Sequence, residues 1–228
     1  MRYSSKALNV SRWSLASGLI AAVALAGCAS TPPVAFRELP SASKLQPVND
    51  RKDHFRYTDP ASDLRNYTAL IVDPVTIYAG SDSQFGSVSD DARRAIADYM
   101  HQRFTEVLGK KLQITDSVAP HTARLHLTLI GIETSTPVVS TASHLLPVGL
   151  LVNAGLGASG HNGTFFGSVC FAAELYDATT GELLYSSVSR ETPFALDVTA
   201  SLGRLDAAKA GVRRGAQHLR NELTSTAR

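Results

Sequence analysis

An apolar run near the N-terminus decides which part of this chain can belong to a folded domain. The run covers 12 residues, Leu15–Ala26, and it follows three basic residues, Arg2, Lys6 and Arg12. A transmembrane helix needs about 20 apolar residues, so a shorter run behind a basic flank is typical of a secretory signal peptide. We therefore expect residues 1–27 to be a signal peptide and the fold to lie in the remainder.

The end of this segment, Leu25-Ala26-Gly27-Cys28, resembles the lipobox of bacterial lipoproteins. The resemblance implies cleavage between Gly27 and Cys28, a diacylglycerol on the Cys28 thiol and an acyl chain on its new amine. Several acyl chains, at about 0.8 kcal/mol per buried methylene, make a stable anchor. Inner-membrane retention typically goes with Asp next to the cysteine. Ala29 stands there, so the expected location is the periplasmic face of the outer membrane.

The excess of basic residues belongs to the signal peptide. The chain has 22 Lys and Arg against 20 Asp and Glu, and residues 1–27 hold three of the basic residues and none of the acidic ones. The remainder is close to neutral, which argues against a nucleic-acid partner. Cys170 is the only thiol outside the lipobox, and we expect it to be a small buried apolar residue.

The remaining chain divides into a tether and one domain. Residues 28–56 are predicted to be a lipidated flexible tether, because prolines and serines interrupt every hydrophobic period. Residues 57–228 are predicted to form a periplasmic α+β domain. Its expected architecture is a mainly antiparallel sheet with two helices packed on one face, in the order β-α-β-β-β-β-α. Hydrophobic spacing predicts helices over 90–108 and 199–223, and strands over 69–78, 112–115, 124–133, 165–176 and 182–190.

Three short motifs carry a resemblance to a known family. They are Tyr57-Thr58-Asp59-Pro60, Leu70-Ile71-Val72-Asp73-Pro74-Val75, and the strand-turn-strand Leu175-Tyr176-Asp177-Ala178-Thr179-Thr180-Gly181-Glu182. In this order, and behind a lipobox, they resemble the bacterial lipoproteins called domain of unknown function 3313, over roughly residues 54–222. The resemblance implies an outer-membrane lipoprotein that faces the periplasm. It brings no catalytic residues.

The longest unusual feature is a stretch without charge. No Asp, Glu, Lys or Arg occurs in the 40 residues between Glu133 and Glu174, where about 25% charged residues are usual. The stretch is expected to be buried, to form a protein interface, or to touch the bilayer. The residues proposed for an interface or membrane contact form its apolar centre: Leu145, Leu146, Val148, Leu150, Leu151 and Val152.

Motifs for catalysis or cofactor binding are weak. Residues 155–160 match the spacing Gly-x-Gly-x-x-Gly, but a strand pattern follows them where a dinucleotide site needs a helix. No Gly-x-Ser-x-Gly elbow occurs, and no candidate acid lies near Ser159 or Ser168 within the uncharged stretch. Histidine and cysteine spacing indicates no metal site. Asp59, Asp73 and Asp177 lie beside prolines or open a turn, so we interpret them as structural.

These observations favour a protein that is not an enzyme. We expect an outer-membrane lipoprotein whose periplasmic domain is an interaction or assembly module, with no cofactor besides the lipid on Cys28. Its envelope partner is unknown, and homo-oligomers are an option. The alternative is a subunit of an oligomeric export or pore-like envelope assembly that uses the uncharged residues 134–173. A hydrolase of envelope polymers is a third, weaker hypothesis.

Overall fold

In the residues that the structure describes, the domain consists of one eight-stranded sheet and two α-helices. The structure is a computed structural model, and it describes residues 36–48, 51–134, 167–193 and 205–225. The strands are β1 (Gln46–Val48), β2 (Arg51–Thr58), β3 (Ala69–Val72), β4 (Thr76–Ile77), β5 (Gln113–Ile114), β6 (Thr122–Glu133), β7 (Ser168–Asp177) and β8 (Leu183–Glu191). The helices are α1 (Asp90–Leu108), between β4 and β5, and α2 (Asp206–Ser225), after β8.

The predicted α+β class and element order are confirmed, with β1 and β2 added before them. The strands lie in the order β1-β2-β8-β7-β6-β3-β5, and β4 pairs with β6 beyond the end of β3. Along this order, the four pairings β1-β2, β2-β8, β8-β7 and β7-β6 are antiparallel, as predicted. The pairings of β3 and β4 with β6, and of β3 with β5, are parallel. Asp73-Pro74 separates β3 from β4 because proline offers no ladder N–H.

Both helices pack on one face of the sheet. The amphipathic stripe of α1 buries Ile96, Met100 and Phe104, and α2 adds Val212 and Leu219 to the same core. Ser89 accepts the N–H of Ala92 and begins α1, and two aspartates in the first turn suit the positive end of its dipole. The helix side of the sheet is lined by alternate β6 and β7 side chains: Leu125, Leu127, Leu129, Phe171 and Ala173.

Two glycines of α2, four residues apart, bring this helix close to the sheet. A Cβ atom on Gly211 would lie 2.7 Å from the carbonyl oxygen of Glu191 and 2.7 Å from Cγ1 of Val169. A Cβ atom on Gly215 would lie 2.3 Å from Cζ of Phe171. Ordinary van der Waals contacts are wider, so only glycine permits this approach.

The other face of the sheet is covered by residues 36–45, which we call the N-terminal strap. Phe36, Leu39 and Leu45 of the strap pack with Phe55 and Tyr57 of β2 over a second apolar cluster. The sheet side of that cluster consists of Tyr78, Ile130, Cys170, Ala172 and Val188. Apolar side chains on both faces of the central strands need a cover on both faces, and the strap supplies the second one.

The strap corrects the predicted tether. Residues 28–56 were expected to be flexible and the domain to start at residue 57, yet residues 36–48 and 51–56 belong to the folded domain. The prolines that suggested a tether lie where they interrupt no central strand, since Pro40 is in a turn and Pro47 is on the edge strand β1. Residues 28–35 of the predicted tether, and the signal peptide, lie outside the described residues.

Candidate functional site

The ends of three antiparallel strands bring four polar side chains together. Glu133 closes β6 and pairs in register with Ser168, the first residue of β7, while Arg190 near the end of β8 pairs with Cys170. The loop residue Gln84 joins them through a backbone bridge to Gly131. We call Gln84, Glu133, Ser168 and Arg190 the Arg190 cluster.

A buried guanidinium holds this cluster together. The Arg190 side chain is only 7% exposed, and its Nη1 donates to Oε1 of Glu133 at 2.8 Å and to Oγ of Ser168 at 3.1 Å. Its Nη2 donates to the side-chain oxygen of Gln84, and Ser168 donates to Oε2 of Glu133 at 2.7 Å. A planar guanidinium with several donors suits such a junction, because one side chain can join several chain segments.

The cluster fixes the start of the uncharged stretch and the start of its buried part. Residues 134–173 begin directly after Glu133, and their last part, Ser168–Ala173, is buried in β7. The expectation of burial therefore holds for that part. The residues proposed for an interface or membrane contact, Leu145–Val152, lie outside the described residues, as do Gly27 and Cys28. The glycine motif at 155–160 and Ser159 also fall outside them.

The N-terminal strap reaches the same end of the sheet. Ser41 lies beside Ser186 of β8, with 2.7 Å between the two Oγ atoms. Five residues earlier, Phe36 contacts Phe55, which pairs with Val188, two residues from Arg190. The backbone N–H of Glu38 donates to the Tyr78 hydroxyl at 3.1 Å, and that hydroxyl donates to Asp82 at 2.7 Å. Followed backwards from Ser41, the strap thus runs toward the Arg190 cluster.

Two carboxylates, one buried and one partly buried, lie between α2 and the sheet. Glu191 of β8 is 1% exposed, and its Oε1 lies 3.1 Å from Nδ1 of His218 on α2. Glu222 of α2 accepts the hydroxyl of Tyr185, and its Oε1 lies 3.6 Å from Nε2 of His54. Burial works to raise the pKa of Glu222, but its contacts with His54 and Tyr185 outweigh burial and lower it. These carboxylates join α2 to β2 and β8.

Asp59, Asp73 and Asp177, which we interpreted as structural, all form hydrogen bonds or ion pairs within the domain. Asp59 accepts the N–H of Ala61, and Asp177 accepts the N–H groups of Thr179 and Thr180, so both close turns as predicted. Asp73 instead forms ion pairs across the sheet, at 2.8 Å to Arg124 and 2.7 Å to Nε2 of His126. The Asp73 pairs were missed because Arg124 and His126 stand about 50 residues away in the sequence.

Ser168 and Cys170 were the candidate nucleophile and the free thiol. Ser168 is held by Glu133 and Arg190, and no histidine of the described chain hydrogen-bonds to it. Cys170 is buried, and this burial raises the pKa of its thiol to about 12, so it stays protonated. Across residues 36–48, 51–134, 167–193 and 205–225, no three His, Cys, Asp or Glu side chains group as a metal site would require.

A family model covers most of this domain. The model of DUF3313, described as a protein of unknown function, matches residues 37–219. The chain belongs to the DUF3313 family. The match begins inside the N-terminal strap and ends within α2, so the strap is part of the DUF3313 domain. None of the curated proteins matches the chain.

Solved structures resemble the DUF3313 domain at a distance. PelC from Paraburkholderia phytofirmans, solved as a dodecamer, is 12% identical with a TM-score of 0.40, over 73% of this chain and 96% of PelC. A DUF330 protein from Xanthomonas campestris is 12% identical with a TM-score of 0.34, over 71% and 86%. A DUF4136 family protein from Bacteroides thetaiotaomicron is 12% identical with a TM-score of 0.35, over 75% and 93%. Likenesses at this level are too distant to indicate a shared function.

Neither α1 nor α2, nor any other helix in the described part of the chain, combines the length and the apolar character that a membrane crossing needs.

Proposed function

We propose that this DUF3313 chain is an outer-membrane lipoprotein, anchored through Cys28, whose periplasmic domain is a non-catalytic interaction or assembly module of the envelope. One observation carries the proposal: the Arg190 cluster joins Glu133, which directly precedes the uncharged stretch, to Ser168, where the buried part of that stretch begins, and the N-terminal strap runs toward this cluster. The chain end that leads to the lipid and the residues proposed for contact thus leave the domain from the same place.

The number of residues between Cys28 and the strap limits the distance between the lipid and the domain. Phe36 stands eight positions after Cys28, and an extended chain spans at most about 3.5 Å per residue, or about 28 Å in total. A lipidated Cys28 would therefore keep this end of the sheet within a few tens of ångströms of the bilayer. The predicted contact residues Leu145, Leu146, Val148, Leu150, Leu151 and Val152 would start from that end as well.

The chemistry of the described residues supports a module that binds rather than reacts. The buried titratable groups join secondary-structure elements: Arg190 joins three strands and a loop, and Glu191 joins β8 to α2. Groups held by several partners are suited to fixing a surface in one conformation.

Metabolic labelling tests the anchor. With an alkyne fatty acid in growing cells, we expect the wild type to be labelled and to sediment with outer membranes. Cys28→Ala should lose the label because the acceptor thiol is gone. Ala29→Asp is the matched control, which should keep the label and move to the inner membrane. A Cys28→Ala protein that still carries acyl chains would contradict the proposal.

A second experiment tests the contact surface. Residues 135–166 are replaced by a two-residue Asn-Gly turn. Such a turn suits a hairpin between two antiparallel strands, here β6 and β7, whose paired residues Glu133 and Ser168 lie next to the replaced segment. With the anchor intact, we expect the same circular dichroism and the loss of cross-links to envelope proteins that the wild type forms. The replacement of the exposed loop residue Ser81 by alanine is the control. Unchanged cross-links would show that the segment is not the contact surface.

The alternative is a subunit of an oligomeric export or pore-like assembly, and the 40 uncharged residues favour it. The unlipidated protein separates the two hypotheses by light scattering and vesicle flotation. An adaptor is expected to be a monomer that does not float. Rings of defined mass, or flotation that disappears when residues 135–166 are replaced, would favour the assembly instead.

A further inference from the structure

A cleft opens at the other end of the domain. It lies between the C-terminal ends of α1 and α2, where they pass over the start of β6 and the end of β7, and its volume is about 240 Å³. Apolar side chains make up most of its lining: Leu64, Leu108, Leu112, Ala123, Leu175 and Leu223. An exposed apolar concavity of this kind is a usual location for a small ligand.

Basic side chains surround the apolar lining. Arg65, Lys111 and Arg220 come from three separate parts of the chain and all line the cleft. Arg65 is paired with Asp63, with 2.7 Å between Nη2 and Oδ2. Lys111 and Arg220 form no ion pair with any carboxylate of the described chain, and Arg220 makes only a long hydrogen bond of 3.4 Å to the side chain of Asn221. Two positive charges beside the cleft therefore remain unneutralised.

The neutral polar groups of the lining already have partners. The Tyr67 hydroxyl donates to Oδ2 of Asp177 at 2.8 Å, and Oγ1 of Thr224 donates to the carbonyl oxygen of Arg220 at 2.9 Å. Specific recognition in the cleft therefore depends on the two basic side chains. An inorganic anion would use the charges and leave the leucines in water, whereas a neutral hydrocarbon would use only the leucines.

We propose that this cleft binds a single-chain alkyl carboxylate, with the alkyl chain against the leucines and the carboxylate between Lys111 and Arg220. Such a ligand matches both halves of the lining, because it buries apolar surface and neutralises the unpaired charges. The volume of about 240 Å³ suits one alkyl chain rather than a folded peptide.

The cleft is independent of the proposed contact surface. Ala123 in the cleft pairs with Asp177 at one end of β6, and Glu133 in the Arg190 cluster pairs with Ser168 at the other. The two positions are ten steps apart along the strand, which corresponds to about 33 Å. Ligand binding in the cleft therefore needs neither the anchor nor residues 135–166.

Photolabelling of the full chain in isolated membranes tests the proposal. The probe is a long-chain alkyl carboxylate with a diazirine on its chain, used well below saturation, and the alcohol of the same length is the neutral probe. Mass spectrometry should locate the carboxylate label on the peptides that contain Leu64, Leu112 or Leu223. Labelling with the alcohol should be weaker by about tenfold, because it lacks the charge that Lys111 and Arg220 bind.

Two adjacent lysines provide a matched pair of variants. Lys111 lines the cleft and Lys110 does not, so Lys111→Glu should reduce carboxylate labelling about tenfold and Lys110→Glu by about twofold at most. Lys111→Gln, which removes the charge without reversing it, replaces Lys111→Glu if that variant fails to fold. Equal labelling by both probes, equal effects of the two lysine variants, or label only outside these peptides would overturn the proposal.

Photolabelling of the Cys28→Ala protein, purified and compared at equal protein concentration with the wild type in membranes, separates this proposal from the proposed function. Cleft labelling that persists in this variant, while metabolic acylation is lost, supports both. Cleft labelling that disappears with the anchor would show that the probe entered from the bilayer at the anchor rather than binding the cleft, and would overturn the inference while leaving the lipoprotein intact.

Discussion

The backbone N–H of Ser41 donates a 2.9 Å hydrogen bond to Oε1 of Glu174, a carboxylate 133 residues further along the chain and only 3% exposed. The Oγ atoms of Ser41 and Ser186 complete this contact at 2.7 Å. Burying a carboxylate or a backbone N–H without a hydrogen bond costs free energy. In this contact the N–H of the strap and the carboxylate of the sheet satisfy each other. The strap is thereby fixed in register as well as held by apolar packing.

Removal of this carboxylate should loosen the strap. Glu174→Ala leaves the buried N–H of Ser41 without its acceptor, so we expect the free energy of unfolding to fall by about 1–3 kcal/mol. Trypsin should then cut after Lys44 more quickly than in the wild type. Urea unfolding and limited proteolysis of the unlipidated protein measure both effects. Glu182→Ala, at an exposed turn position, is the control, and equal losses in the two variants would contradict this role of Glu174.

Gly211→Ala should separate α2 from the sheet. The new Cβ would lie 2.7 Å from the backbone oxygen of Glu191, which cannot move without disturbing β8. Overpacking of this kind costs about 1–3 kcal/mol, although alanine favours the helix intrinsically. Gln217→Ala on the exposed side of α2 should leave the urea midpoint nearly unchanged. A Gly211→Ala protein as stable as the wild type would refute the close approach.

The thiol of Cys170 should react only after unfolding. Burial raises its pKa to about 12, whereas an exposed cysteine ionises near about 8.5. In a Cys28→Ala background at pH 8, we expect an aromatic disulfide reagent to label Cys170 at a rate that rises with urea. Ser81→Cys, at an exposed loop position, should react within the mixing time. Native labelling of Cys170 as rapid as that of Ser81→Cys would contradict its burial.

Asp177 should make stability depend on acid pH. Hydrogen bonds from Thr179, then Thr180 and Tyr67, lower the pKa of Asp177 below its ordinary value of about 3.9, against the opposite effect of burial. A lowered folded-state pKa gives stability above about pH 3.9 that is lost as the pH falls toward the folded-state pKa.

The corresponding variant is Asp177→Asn. After allowance for solvent screening, we expect it to lose about 1 kcal/mol at neutral pH and to show a smaller loss of stability between about pH 4 and pH 2. Urea midpoints measured across this range test the change. Asp98→Asn, on the exposed side of α1, is the control. A pH profile of Asp177→Asn that parallels the wild type would show that the turn hydrogen bonds do not depend on the charge.

Periodicity predicted the central elements because each has one strong hydrophobic pattern. The helix predicted over 90–108 agrees with α1 in both bounds, and the strand predicted over 124–133 lies within β6. The predicted helix over 199–223 contains most of α2, which the structure describes from Asp206. These segments carry their own signal, so no distant contact was needed to find them.

The strap and the cleft could not be found in this way. Phe36, Leu39 and Leu45 follow no helix or strand period, because they fill gaps on a surface that β6, β7 and β8 create. One signal was present: Cys170 and Ala172 make the second face of β7 as apolar as its helix face, which predicts a cover on both sides. The cleft gave no such signal, since its lining comes from several separate elements.

The pairing of Glu133 with Ser168 makes residues 134–167 an insertion at the tip of a hairpin. Because the two ends of the insertion are already neighbours, the entropy of closing this loop depends only weakly on its length, and a doubling of length costs about 0.6 kcal/mol. Related chains are therefore free to lengthen, shorten or exchange this segment while the sheet, the strap and both helices stay the same. The domain can thus keep one fold during evolution while the segment between β6 and β7 changes.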